Sequence, residues 1–263
     1  VTVSVLYWRD DFPLSMAART LIANPDAADR ATRACAIAAA LAGIELRVVD
    51  PSDINAANPA LYRQNCHPAL PADARHGPVR VPALRVDHGY VFGCHAVLRC
   101  FARAGKGMYG STDFEASQVD AWLDYVTSEI DPENIPFLLA SFGFVEMTYD
   151  EGVTKGKNAL AAFAGASKWL ETRTFLVGER ITVADVAVFV AFDGFLRHAQ
   201  NASEGPKLKH LMRHYLTVLH HPKVQEAIKA MGGDGLVPPK KAPAKRPAKP
   251  TPAPPAAPTA APE

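Results

Sequence analysis

The chain has 263 residues, of which 48% are hydrophobic and 21% charged, and its formal net charge is +1. This composition is ordinary for a folded globular protein, and the length is sufficient for two domains. No apolar run in the sequence is long enough to cross a bilayer. The four scattered cysteines, which include no CxxC pair, favour a reducing compartment such as the cytoplasm over a disulfide framework.

The charge is distributed unevenly along the chain. Residues 237–263 carry five Lys or Arg and one acid, whereas the remainder has 23 basic and 26 acidic residues. The remainder therefore lacks the basic surface of a nucleic-acid-binding protein, and no direct contact with nucleic acid is expected. The basic end of the chain also contains ten prolines from Leu236 onward, in a Pro/Ala/Lys mixture that predicts a disordered linker.

The first half of the chain alternates short apolar segments with an alanine-rich helical segment. Residues 1–15 are treated as an extension, either translated upstream sequence or a lineage-specific addition, although their apolar start could also form a strand. The predicted elements after it are a strand at 19–23, a helix at 27–41, a strand at 44–49, a short helix at 58–65, an irregular loop at 67–78, hairpin strands at 83–86 and 90–92 joined by a turn at 87–89, and a helix at 93–104. The first strand, helix and strand predict a right-handed parallel crossover.

After residue 105 the apolar spacing becomes helical throughout. The predicted helices are 113–130, which Asp131-Pro132 should end or kink, then 149–171, 182–198, 207–219 and 222–230. These patterns predict an α/β domain at residues 16–105 and an all-helical domain at 106–236, followed by the linker at 237–263.

The stretch from Lys168 to Phe189 contains the strongest local signal. Gly178 permits a turn, and Thr182 followed by Asp185 has the spacing of an N-terminal capping box. The helix that starts there is apolar nearly all round, so we expect it to be the core helix of the second domain.

The residues ETRTFLVGERITVAD in this stretch resemble the start of the core helix of glutathione-transferase-like proteins. Their sequence also resembles that of the gamma subunit of translation elongation factor 1. The resemblance covers about residues 20–236. It implies a thioredoxin-like α/β domain followed by an all-α bundle. It also implies a non-catalytic scaffold subunit of the cytoplasmic elongation factor 1B complex. Such a subunit would anchor the elongation factor 1 beta exchange subunit, would act indirectly on elongation factor 1A, and could form a homodimer.

The same resemblance implies where a thiol peptide would bind. Val81 and Pro82 match the Val-cis-Pro whose backbone pairs with glutathione in active transferases. The Glu/Gln-Ser pair that holds the γ-glutamyl end is replaced by Gly93 and Cys94, so the acid that would pair with the ligand's ammonium is missing. No Tyr, Ser or Cys stands near the end of the first strand to activate the thiol, and Asn24 is expected only to form a turn.

These differences predict a vestigial site at Val81, Pro82, Gly93 and Cys94, with no catalytic residue and no required cofactor. The alternative is a transferase that conjugates glutathione, or a related thiol such as trypanothione, to electrophiles. A third alternative is an adaptor of aminoacyl-tRNA synthetases with the same fold.

Two further groups of residues have alternative interpretations. Cys94 begins a helix and could be a reactive thiol, but free cysteines are more often small buried hydrophobes. His210 and His214 lie four residues apart and could bind a metal, but without a third ligand we predict a solvated helix face and no metal site.

Overall fold

The computed structural model describes residues 19–23, 29–50, 82–86, 89–141, 143, 145–198 and 207–232. The expectations for residues 1–15, the helix at 58–65, the loop at 67–78, Asn24, Val81 and the linker at 237–263 lie outside these residues and remain predictions.

The α/β part contains a four-stranded mixed sheet. Its strands are β1 (Arg19–Ile22), β2 (Leu46–Val49), β3 (Ala83–Val86) and β4 (Gly89–Phe92). The spatial order is β2-β1-β3-β4, with β1 parallel to β2 and antiparallel to β3, and with β3 and β4 antiparallel. The parallel crossover and the hairpin are thus confirmed. Gly89 is paired with Val86 rather than lying in the turn, so the hairpin connection is one residue shorter than predicted.

Helices α1 (Arg30–Ala42) and α2 (Cys94–Ala104) pack against each other and contact the sheet. The prediction that the first helix starts at residue 27 was wrong, because Asp29 is extended and its side chain accepts a hydrogen bond from the Thr32 N–H. The helix ends at Gly43, whose φ of 74° is the left-handed conformation that glycine adopts without strain.

The helical part contains α3 (Asp113–Tyr125), a π-helical turn (Val126–Ile130), α4 (Asp131–Ser141), α5 (Tyr149–Trp169), a 3₁₀ turn (Leu170–Thr172), α6 (Val183–His198), α7 (Lys209–Leu219) and α8 (Pro222–Ala230). Helix α4 was not predicted. Asp131-Pro132 was expected to end or kink the preceding helix, but the chain continues as a helix through both residues. The Asp131 N–H donates to the Val126 carbonyl five residues back, so one widened turn carries the chain past a proline that has no N–H to donate.

Helix α6 forms the centre of the core, as predicted. Every residue from 182 to 193 is buried. Phe163 of α5 packs against Phe192 and Phe195, with ring centroids 5.1 and 5.0 Å apart. Burial of each such aromatic side chain contributes about 1.5–3 kcal/mol. Within the described residues, each helix is too short or too polar to span a membrane.

Candidate functional site

Pro82 and Gly93 meet where the hairpin joins α2. Pro82 is buried just before β3, and its carbonyl accepts a hydrogen bond of 2.9 Å from the Gly93 N–H. Gly93 follows β4 directly and has φ 89° and ψ 143°, which glycine alone adopts readily. The structure thus brings together Pro82, Gly93 and Cys94, the described members of the predicted thiol-peptide site.

The N-terminus of α2 has no side-chain cap. Gly93 supplies no capping hydrogen bond, and a Cβ on it would meet nothing within 4 Å. The first N–H groups of a helix favour negative charge, so this open end is chemically suited to a ligand carboxylate. Among the described residues, however, no acid stands at Gly93 to bind the ammonium of the same ligand.

Cys94 faces α1 rather than open solvent. It is half-buried, and its thiol lies 3.9 Å from the Ala31 carbonyl of α1, which accepts a weak hydrogen bond from it. This placement is intermediate between the two interpretations of Cys94, because the thiol is neither fully buried nor freely exposed.

A cation–carboxylate pair lies beside this helix end. Arg30, the first residue of α1, binds both carboxylate oxygens of Asp131 at 2.5 and 2.6 Å. Burial lowers the pKa of Arg30, but the hydrogen bond to Asp131 and its charge outweigh this, so the pKa lies above its usual value. The Arg30 charge is therefore already matched within the protein.

His95 contacts the π-helical turn, and its pKa lies below the ordinary value for histidine. Its Nδ1 lies 3.0 Å from the Thr127 hydroxyl in the π-helical turn. Burial lowers the pKa of His95; Asp131 opposes this, while Arg30 and Arg99 lower the pKa further. The lowered pKa disfavours the imidazolium, so His95 is suited to a hydrogen bond with Thr127 rather than to binding an anion.

A buried ion pair joins the two parts of the chain. Arg33 of α1 donates to Asp193 of α6 at 2.6 Å, and the Tyr215 hydroxyl donates to the same carboxylate at 2.7 Å. Asp193 is 1% exposed. A charge this deeply buried requires such partners, so Arg33 positions α1, and with it Arg30, against the helical core.

The capping-box residues form a second buried network. The Asp185 carboxylate accepts hydrogen bonds from the Thr182 N–H at 2.8 Å, the Thr182 hydroxyl at 2.9 Å and the Leu176 N–H at 2.8 Å. His214 Nε2 lies 2.8 Å from the same carboxylate and must donate, because a carboxylate only accepts. Asp185 therefore holds together the start of α6, the segment at Leu176 that precedes it, and α7.

His214 overturns one prediction. We expected His210 and His214 to lie on a solvated face, but His214 is fully buried and bound to Asp185. The reason is that His214 projects from the inner face of α7, which packs on α6. Among the described residues, no cluster of three potential ligands could hold a metal ion.

Sequence reasoning missed Arg30, Arg33, Asp131 and Asp193. Two signals were present: two arginines one turn apart in an alanine-rich helix, and a lone carboxylate within the apolar run of α6. Charged side chains are almost never fully buried unless they are paired, so a charged residue in either of these apolar segments indicates an oppositely charged partner elsewhere in the chain.

A comparison with protein families matches residues 128–222 to the glutathione S-transferase C-terminal domain. Over 184 residues the chain is 38% identical to elongation factor 1-gamma from Trypanosoma cruzi, covering 66% of this chain and 40% of that protein. It is 25% identical over 216 residues to elongation factor 1-gamma 2 from Oryza sativa subsp. japonica, covering 79% of this chain and 48% of that protein. The chain therefore spans less than half the length of these two relatives.

Among solved structures, one similar fold is a glutathione transferase from Pseudomonas putida, solved with one glutathione disulfide bound per subunit. It covers 84% of this chain and 94% of its own, with a TM-score of 0.63 and 17% identity. At this identity the likeness concerns the fold alone. Together with the matched domain, it confirms the predicted glutathione-transferase-like architecture.

Proposed function

We propose that this chain, which is a relative of elongation factor 1-gamma with a glutathione-transferase-like fold, is a non-catalytic binding subunit in translation elongation. In this role it anchors the guanine-nucleotide-exchange subunit, elongation factor 1 beta, and so supports the reloading of elongation factor 1A. The names of the matched relatives support a role in the elongation factor 1 complex. A cytoplasmic location follows from that role and belongs to the same proposal.

The observation that carries the non-catalytic part is the start of α2. The site retains Pro82 and its contact with Gly93, yet Gly93 has no side chain to hold a ligand ammonium. Losing such an ionic partner in a desolvated site weakens binding by on the order of 2–5 kcal/mol. Asp131 does not compensate, because both of its carboxylate oxygens already accept hydrogen bonds from the Arg30 guanidinium.

Retention of the exchange subunit tests this function. The full chain is immobilised and exposed to purified elongation factor 1 beta at micromolar concentration. We expect retention by this chain and none by the Pseudomonas putida glutathione transferase, which serves as a control with the same fold. Failure of the folded chain to retain the exchange subunit would remove the proposed role.

A thiol transferase is the second candidate, and specific features favour it. The N-terminus of α2 is open, and the half-buried Cys94 thiol and Pro82 lie at the predicted thiol-peptide position. The substrate thiol would be glutathione or a relative such as trypanothione, joined to an electrophile.

This candidate predicts retention on immobilised glutathione and measurable conjugation of an electrophile. Both should be lost when Pro82→Ala alters the backbone before β3, while far-ultraviolet circular dichroism shows that the variant remains folded. Absence of both properties in the unaltered chain removes the transferase and leaves the binding subunit untouched.

A further inference from the structure

Two cysteines from different helices face the same point in the α/β part. The Cys94 thiol at the start of α2 lies 3.9 Å from the Ala31 carbonyl of α1. Cys35 follows Ala31 by one helical turn, and side chains in a helix lean toward its N-terminus, over the preceding turn. The Cys35 side chain is therefore directed toward the carbonyl that the Cys94 thiol contacts.

The titration of Cys35 is consistent with this placement. A hydrogen bond with the Cys94 thiol raises the pKa of Cys35 well above its usual value, and burial raises it further. Both cysteines are free thiols in the structure.

The spacing of the two helices suits a covalent link. Helices pack with their axes about 8–10 Å apart, and their Cα atoms lie on cylinders of about 2.3 Å radius, so facing Cα atoms approach to about 3.4–5.4 Å. A disulfide requires Cα atoms about 4.4–6.8 Å apart. Helices α1 and α2 pack directly on each other, so residues that face each other across them lie at separations that overlap this range.

We propose that Cys94 and Cys35 form an oxidisable dithiol that a hydroperoxide converts into a disulfide between α2 and α1. The inference does not depend on either function proposed above, because it concerns a covalent state of the α/β part itself.

The two thiols have different roles in this reaction. Cys35 is fully buried, whereas Cys94 is half-buried, so the hydroperoxide reaches Cys94 first. The Cys94 thiolate attacks the peroxide, the O–O bond breaks, and a sulfenic acid and an alcohol, or water from hydrogen peroxide, are formed. The Cys35 sulfur then attacks the sulfenic sulfur, the S–S bond forms and water leaves. Overall, two thiols lose two electrons and two protons, and one hydroperoxide is reduced to an alcohol and water.

The experiment uses the full chain, reduced, freed of reductant and treated with hydrogen peroxide. After alkylation of the remaining thiols, non-reducing peptide mapping by mass spectrometry should find a Cys35–Cys94 linked peptide that dithiothreitol removes. Cys35→Ala should abolish this peptide and leave a dimedone-reactive sulfenic acid on Cys94. Cys100→Ala is the matched control, since Cys100 is a half-buried thiol on the same helix, and it should leave the linked peptide unchanged.

Mapping of the unaltered chain decides the inference even if Cys35→Ala does not fold. The proposal is overturned if Cys94 becomes sulfenic or over-oxidised while Cys35 remains alkylatable. It is equally overturned if Cys94 pairs with any other cysteine, or if neither thiol reacts while the chain stays folded.

Discussion

Helices α6 and α2 both begin at positions that the sequence singles out, but the two starts are built differently. At α6, the fully buried Asp185 accepts hydrogen bonds from Thr182, Leu176 and His214. At α2, Gly93 is exposed and provides no side-chain cap. The difference supports the proposal that the start of α6 holds the fold and that the start of α2 lacks the acid needed to bind a thiol peptide.

The largest expected effect of a single substitution is at the start of α6. Asp185→Ala removes the acceptor for three residues and leaves their donors buried without partners, so we expect the free energy of unfolding to fall by about 3–5 kcal/mol. The control Asp113→Ala, at the exposed start of α3, should cost less than about 1 kcal/mol. Urea unfolding measures both, and equal losses would mean that Asp185 is not the structural centre of this helix start.

The next effect extends the comparison to the middle of α6. Arg33→Met leaves the Asp193 carboxylate buried without its cation, and we expect a loss of about 3 kcal/mol in unfolding free energy. The double variant Arg33→Met, Asp193→Leu should recover part of that loss, because no unpaired charge remains. A double-mutant cycle in urea tests the pair, and strictly additive losses would show that the two side chains are not coupled.

At the start of α2, two substitutions of Gly93 separate the effect of backbone strain from that of the missing acid. Gly93→Ala and Gly93→Glu both place a Cβ at φ 89° in open space, so each should cost about 1–2 kcal/mol of unfolding free energy. Only Gly93→Glu restores an acid at this helix end, so it should bind glutathione more tightly than Gly93→Ala in a calorimetric titration. Equal affinities of the two variants for glutathione would show that an acid at position 93 does not determine the binding of a thiol peptide.

The smallest effect is a pH dependence at His95. The folded state holds the pKa of His95 below its ordinary value, so as pH falls through about 6.5 the unfolded chain takes up a proton that the folded chain resists. Stability should therefore decrease as the pH is lowered from 7.5 to 5.5, and the His95→Gln variant should lose less stability over the same range. Identical pH profiles of unfolding for the two proteins would show that His95 titrates alike in both states.

Local patterns in the sequence were sufficient for much of the fold. The Thr182–Asp185 spacing placed the start of α6, and Pro222 placed the start of α8, because caps and first-turn prolines act through the nearest backbone groups. The π-helical turn was not predictable in this way. Asp131-Pro132 can end a helix, or the helix can continue through it by way of a widened turn. Which of the two occurs depends on the residues that pack against this segment, and the local sequence does not identify them.

The candidate site was predictable only where a motif marked it. Pro82, Gly93 and Cys94 were found from the resemblance to a family, and the structure brings them together. The Arg33–Asp193 pair joins residues 160 positions apart, and Arg30 with Asp131 joins residues 101 apart. A single sequence shows that such charges need partners but not which ones, and His214 was misjudged for the same reason.

The most direct test of the central claim titrates two ligands into the same preparation of the full chain by isothermal calorimetry. If the chain is a binding subunit that has lost its hold on thiol peptides, purified elongation factor 1 beta should saturate it at micromolar concentration, while millimolar glutathione should give no binding heat. Saturation by glutathione at micromolar concentration, with no heat from the exchange subunit, would contradict that claim.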